Sequence, residues 1–193
     1  MRSFLSMKLR GERSAASARS KKGRSVLMMQ RRKRASSGRN MNKSVPKPFQ
    51  GSDGKQNLIE ALISQPLVRD KDLAVVVARR LKLEEIPAGV NLIEQGATDT
   101  DLFLILKGDV SVAVDGHVVA RKKAGEHVGE MAVVDPRRPR SASVTATSDS
   151  VVGRIAESDF SELADRYPRL WRRIALELAT RLRNDSVVAG RAA

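Results

Sequence analysis

The chain has 193 residues, with 36 Lys and Arg, 22 Asp and Glu, two His and no Cys. That length allows one domain of about 130 to 150 residues plus appendages. The missing cysteines exclude disulfides, thiolate metal sites and a cysteine nucleophile, and they fit a reducing compartment, so a cytoplasmic location is expected.

The longest apolar run, "LFLIL" at 102–106, is far shorter than the roughly 20 residues a membrane-spanning helix needs, so a soluble protein is expected. The formal charge of +14 is unevenly placed. Residues 1–50 hold 15 Lys and Arg against one acid, Glu12, and residues 51–193 hold 21 basic and 21 acidic residues. Any attraction to nucleic acid or acidic membranes therefore concerns the first fifty residues alone.

Residues 1–54 form a segment rich in Ser, Arg, Lys and Gly that buries too little apolar surface to offset chain entropy, and it reads as a disordered basic tail. Its functional readings are a phosphate-binding arm, a targeting segment or an anchor for acidic lipid. The plain readings are a solvated tail, or a true start at Met28, Met29 or Met41. A folded domain is expected over 55–186, with 187–193 a disordered end.

From Gln56 the pattern is helical, with Leu58, Ile59, Leu62 and Ile63 on one face and Pro66 ending the run. A second helix is expected after Asp70 as cap, with Arg79 and Arg80 near its C-terminus, where positive charge is favoured. From Leu83 to Ile155 short runs alternate with breakers and predict strands: "LEEIPA", "NLIEQG", "LFLILKG", "VSVAV", "HVVARKK", "SASVTA" and "VVGRIA". The "DG" at 115–116 predicts a tight hairpin. Phe160, Leu163, Ala164 and Tyr167 predict a short helix capped by Ser158. Pro168 then opens another, whose buried stripe is Leu170, Trp171, Ile174, Ala175, Leu178 and Leu182. The expected fold is mainly β with flanking α: a β-roll of the double-stranded, jelly-roll-like kind between N-terminal and C-terminal helices.

One stretch places charge in an apolar setting. In "GEHVGEMAVVDPRRPRSASVTA" (125–146), Gly129 permits a tight turn and "EMAVV" can form a short helix that Pro136 ends. A helix start offers free amides and partial positive charge to an anion. Arg140, eleven residues on, has a planar fork suited to phosphate. Glu130 then needs a hydroxyl-bearing partner to justify its burial.

This stretch resembles the phosphate-binding cassette of cyclic-nucleotide-binding domains, as found in catabolite-activator-like proteins, kinase regulatory subunits and gated channels. "EIPAGVNLIEQGATDTDLFLILKGDVSV" and "FSELADRYPRLWRRIALELATRL" extend the resemblance over about 57–184. It implies that Gly129, Glu130, Met131 and Ala132 line the cassette, that Glu130 holds the ribose 2′-hydroxyl, and that Arg140 pairs with the cyclic phosphate, joined by Ser141 and the Ala142 backbone. Gly96 and Gly108 are turn residues in this pattern. Arg181, Asn184, Asp185 and Ser186 are candidate base contacts on the last helix. Val128 departs from the pattern, standing where Phe is common, and Arg137 and Arg138 are not assigned to the ligand. The family's transcription factors continue into a helix-turn-helix, which is not expected here, since the sequence stops nine residues after Asn184.

The resemblance implies a sensor of cyclic mononucleotide whose last helix closes over the ligand, not an enzyme: no nucleophile stands beside a base. The ligand expected is cAMP or cGMP. A further resemblance, to sensor domains that bacteria fuse to anti-phage effectors, adds cyclic pyrimidine nucleotides and a separate effector protein as partner. No cofactor is expected. A metal pair of His127 with Glu130 is disfavoured because His117 lies on a separate hairpin. Trp171 and Tyr167 read as core or interface anchors, and a homodimer through the C-terminal helix is a further partner expectation. The alternative function is association with nucleic acid or membrane through the basic tail, over a ligand-free roll.

Overall fold

The structure, a computed structural model, describes the backbone of residues 45–191 and the side chains of 45–183. The expectations for residues 1–44, including the basic tail and its partners, lie outside the described residues.

Eight strands follow two helices and enclose a third. They are β1 (Lys82–Ile86), β2 (Asn91–Ile93), β3 (Leu102–Lys107), β4 (Asp109–Val114), β5 (His117–Lys123), β6 (His127–Val128), β7 (Ser143–Ala146) and β8 (Ser150–Ile155). The helices are α1 (Gly54–Ile63), α2 (Lys71–Ala78), α3 (Glu130–Val134), α4 (Glu157–Arg166) and α5 (Arg169–Arg191). The strands form two antiparallel four-stranded sheets, ordered β1-β8-β3-β6 and β2-β7-β4-β5. This is the expected β-roll flanked by helices.

β3 shows why "LFLIL" carries no polar residue. Successive side chains leave a strand on opposite faces. Phe103 and Ile105 therefore enter the core between the sheets, with Ile86, Ile93, Val110, Val144 and Val152. Leu102, Leu104 and Leu106 enter a second core on the other face, with Leu62, Leu73, Phe160, Leu170 and Ile174 from the helices. A strand covered on both faces reads as a continuous apolar run. Val128, in place of an aromatic residue, is buried in the inter-sheet core.

The β4–β5 hairpin turns at Asp115 and Gly116, both with positive φ, as the "DG" pair predicts. Asp70 caps α2, its carboxylate accepting from the Leu73 amide at 2.8 Å. The turn between α1 and α2 is fixed from inside by Gln65, fully buried, which donates to the Ile105 carbonyl at 2.8 Å. It is also fixed from α5. Arg173 donates to the Leu67 carbonyl at 2.7 Å and to that of Val68, and Arg169 pairs with Asp70 at 3.0 Å.

Several expectations are corrected. Ser158 is not a cap: α4 begins at Glu157 after Ala156, which makes no side-chain cap bond, and Glu157 and Asp159 supply the negative charge of the first turn. The buried stripe of α5 stops short of Leu182, which is 69% exposed, and Ala175 is exposed too. The folded unit starts before residue 55, because Phe49 is buried against the helical core. At the other end the helical backbone runs through Arg191. Among the described residues no helix is long and apolar enough to cross a membrane.

Candidate functional site

The site begins at Gly129. It caps α3 with φ of +91°, a region L side chains rarely adopt. A Cβ there would lie 2.7 Å from the Asp101 carbonyl oxygen and 2.9 Å from Arg140 Nη1. Glycine lets the cassette backbone approach both groups, and α3 then turns Glu130, Ala132 and Val133 inward and leaves Met131 half exposed.

Arg140 lies three residues before β7, in the loop, and its backbone is held at both ends: its amide donates to Ala97 and its carbonyl accepts from Gly96, at 2.8 and 2.9 Å. Its side chain is buried. The guanidinium donates through Nε to Asp99 Oδ2 at 3.1 Å, through Nη2 to the same oxygen and to the Asp101 carbonyl at 2.8 Å, and through Nη1 to the Gly129 carbonyl at 3.4 Å. Of the five N–H donors of an arginine, one on Nη1 is left over. Asp101 is itself fixed, since Arg154 donates to its carboxylate at 2.6 Å. Among the described residues Asp99 is the one counterion of Arg140, and its side chain is 44% exposed, so that counterion faces water.

Glu130 is buried and pairs through Oε1 with Arg181 of α5. Burial pulls the Arg181 guanidinium down, but Glu130 and Glu177 outweigh it and hold it above its ordinary value. Glu177, one turn before Arg181 on α5, also stands 3.1 Å from Nε2 of the buried His127 and 3.7 Å from Lys122. Burial lowers the His127 pKa, against the pull of the Glu177 and Glu130 carboxylates.

Of these groups Gly129, Glu130, Arg140, Arg181 and Lys122 border one cavity of about 830 Å³, within the range of small-molecule sites. Its wall includes Gly129, Glu130, Met131, Ala132, Arg140, Ser141, Ala142 and Arg181, so eight of the eleven residues singled out from the sequence meet at one place. The other three, Asn184, Asp185 and Ser186, have side chains outside the described residues. Gly96 and Gly108 are not on the wall. Arg138, set aside on the sequence, is on it, whereas Arg137 is solvent-exposed away from it. Apolar contacts come from Ile93, Val112, Val119 and Val144, and further cationic side chains from Arg121 and Lys122. Sequence reasoning missed Asp99, which no spacing links to Arg140. It also missed Glu177, whose position four residues before Arg181 on a helix was the available signal.

A β-roll with a buried Arg and a buried Glu on one cavity defines a class, the cyclic-nucleotide-binding domains. The family model described as "Cyclic nucleotide-binding domain" matches residues 83–167, and this part of the chain belongs to that family.

Among curated proteins the chain is 44% identical over 146 residues to the Pycsar effector protein BcPycTIR of Burkholderia cepacia, covering 74% of this chain and 48% of that protein. It is 41% identical over 143 residues to PaPycTIR of Pseudomonas aeruginosa, also named a Pycsar effector protein, covering 72% and 46%. The chain spans about half the length of these relatives. Among solved structures, the Thermus thermophilus catabolite activator protein superposes with a TM-score of 0.60 at 25% identity, over 66% of this chain and 63% of that one.

Proposed function

We propose that the cavity binds a cyclic mononucleotide and that the domain is the sensing part of a regulatory system. The observation that carries this is the pair of buried charges, Arg140 and Glu130, on the wall of a cavity otherwise lined largely by apolar groups. A buried cation whose protein counterion is half in water suits an incoming phosphate. Glu130 suits the sugar as well. Arg181 takes Oε1. A carboxylate accepts on both oxygens, so Arg181 and a ribose hydroxyl can share it.

In this reading Arg140 and the amides at the start of α3 meet the phosphate, Ser141 and Ala142 flank it, and Glu130 holds the 2′-hydroxyl. The base lies toward Arg181 and the last turns of α5. The ligand then favours the arrangement in which α5 is docked, which requires tighter binding to that arrangement than to an undocked one. The relatives named effector proteins support an output through an effector, on the same protein or on a partner.

The test is calorimetric titration of the chain with cAMP, cGMP, cCMP and cUMP, repeated with Arg140→Ala. Saturable binding of at least one nucleotide is expected, weakened in the variant by about 2 to 5 kcal/mol because a desolvated phosphate loses its cation. Unchanged affinity in a folded Arg140→Ala protein would remove the assigned site.

A further inference from the structure

We infer that Glu177 of α5 is a positioning residue for the sugar, holding one end of the Arg181 fork so that Glu130 keeps an oxygen for a ribose hydroxyl; this rests on the reading of Glu130 given above. A guanidinium can grip one carboxylate with two parallel N–H donors, which engages both of its oxygens. Arg181 is arranged otherwise. It donates to Glu130 through Nη1 and to Glu177 through Nη2, so two carboxylates divide its fork.

The helix and the roll together put Glu177 in that place. It precedes Arg181 by four residues on α5, with the acid N-terminal to the base, the favoured order for a helical pair. From the roll, Lys122 of β5 stands 3.7 Å from its Oε1, and Nε2 of the buried His127 on β6 stands 3.1 Å from its Oε2. Lys122 is itself held at 2.8 Å by Glu126. Glu177 is not on the cavity wall, whereas Arg181 is, so its influence on the sugar passes through Arg181.

Burial gives the divided grip its consequence. Glu130 is 4% exposed, and a buried carboxylate requires a partner. An arginine released from Glu177 would lower its energy most by turning both ends of its fork to that one buried charge. The clasp would take the oxygens a sugar hydroxyl needs. Glu177 prevents it by occupying Nη2, which leaves Glu130 both paired and able to accept.

The experiment uses the full chain and calorimetry with two probes: whichever of cAMP, cGMP, cCMP and cUMP binds most tightly, and its 2′-deoxy analogue. The ratio of the two affinities reads the hydroxyl contact, because a lost negative charge or a loosened α5 changes both affinities alike. The parent is expected to favour the ribose form about tenfold or more, as a hydrogen bond to a charged group allows. In Glu177→Ala the ratio should fall about three- to tenfold. Lysine offers a point charge without a fork, so adding Glu177→Ala to Arg181→Lys should change the ratio by less than about twofold. Glu126→Gln removes a nearby negative charge that pairs with Lys122, and its ratio should stay within about twofold of the parent's.

A ratio in Glu177→Ala equal to the parent's, whatever happens to the two separate affinities, overturns the proposal. So does an equal fall in Glu126→Gln, or a full further fall in the Arg181→Lys background. Should Glu177→Ala not fold, Glu177→Gln, of the same size, takes its place and should lose at least about threefold, since a neutral acceptor holds a guanidinium only about half as strongly; an unchanged ratio there is equally fatal. A parent that binds both sugars alike, or binds no nucleotide, removes the reading of Glu130 and this proposal with it. A discriminating parent beside an unaltered Glu177 variant removes the proposal alone.

Discussion

Gly129→Ala is the sharpest test of the cassette geometry, because two separate costs fall on one methyl group. The first is conformational: an L residue in the left-handed region costs about 1 to 2 kcal/mol. The second is steric. The new Cβ would stand 2.7 Å from the Asp101 carbonyl oxygen, 2.9 Å from Arg140 Nη1 and 3.4 Å from Ile93 Cδ1. The Asp101 backbone cannot swing aside freely, since Arg154 holds its carboxylate at 2.6 Å, and overpacking of this kind adds about 1 to 3 kcal/mol.

Together these give a loss of roughly 2 to 5 kcal/mol, a large share of the 5 to 15 kcal/mol typical of a domain. In urea denaturation the midpoint should fall with the slope unchanged. Because the same methyl displaces the guanidinium of Arg140, nucleotide affinity should fall at least about tenfold, or 1.4 kcal/mol. A variant within about 0.5 kcal/mol of the parent, with affinity intact, would show that the turn is not cramped as described.

Two further outcomes follow from single contacts. Asp99→Asn removes the carboxylate paired with Arg140, so stability should drop by about 1 to 3 kcal/mol while nucleotide binding tightens about two- to fivefold, because the phosphate no longer meets that negative neighbour. Weaker binding by calorimetry would instead make Asp99 a group that aims the guanidinium. Asp70→Ala removes the cap of α2 and the partner of Arg169, and thermal and urea unfolding should both report a loss of about 1 to 2 kcal/mol with nucleotide affinity unaltered.

What could be read from the sequence was what local chemistry dictates. The "DG" hairpin, the Asp70 cap and the Gly129 turn each depend on a few adjacent residues. The double burial of β3 is written in five consecutive apolar side chains. The placement of Glu130 and Arg140 on one cavity was legible through a cassette spacing. β6 was not legible because two residues have no period to detect. Asp99 was not legible because it reaches Arg140 only after the β2–β3 loop is drawn in by the backbone bonds of Gly96 and Ala97. Leu182 misled because it continues the helical spacing of Leu178 and yet stands 69% exposed.

The anchoring of α5 by Arg173 to the Leu67 and Val68 carbonyls makes that helix a lever with its fulcrum near one end. Eighteen residues separate Arg173 from Arg191, a length of about 27 Å at 1.5 Å per residue. A tilt of about 10° around the fulcrum would carry the far tip through about 5 Å, whereas the level of Arg181, eight residues along, would travel only about 2 Å. A displacement too small to break the fold at the nucleotide would therefore be more than doubled at the tip.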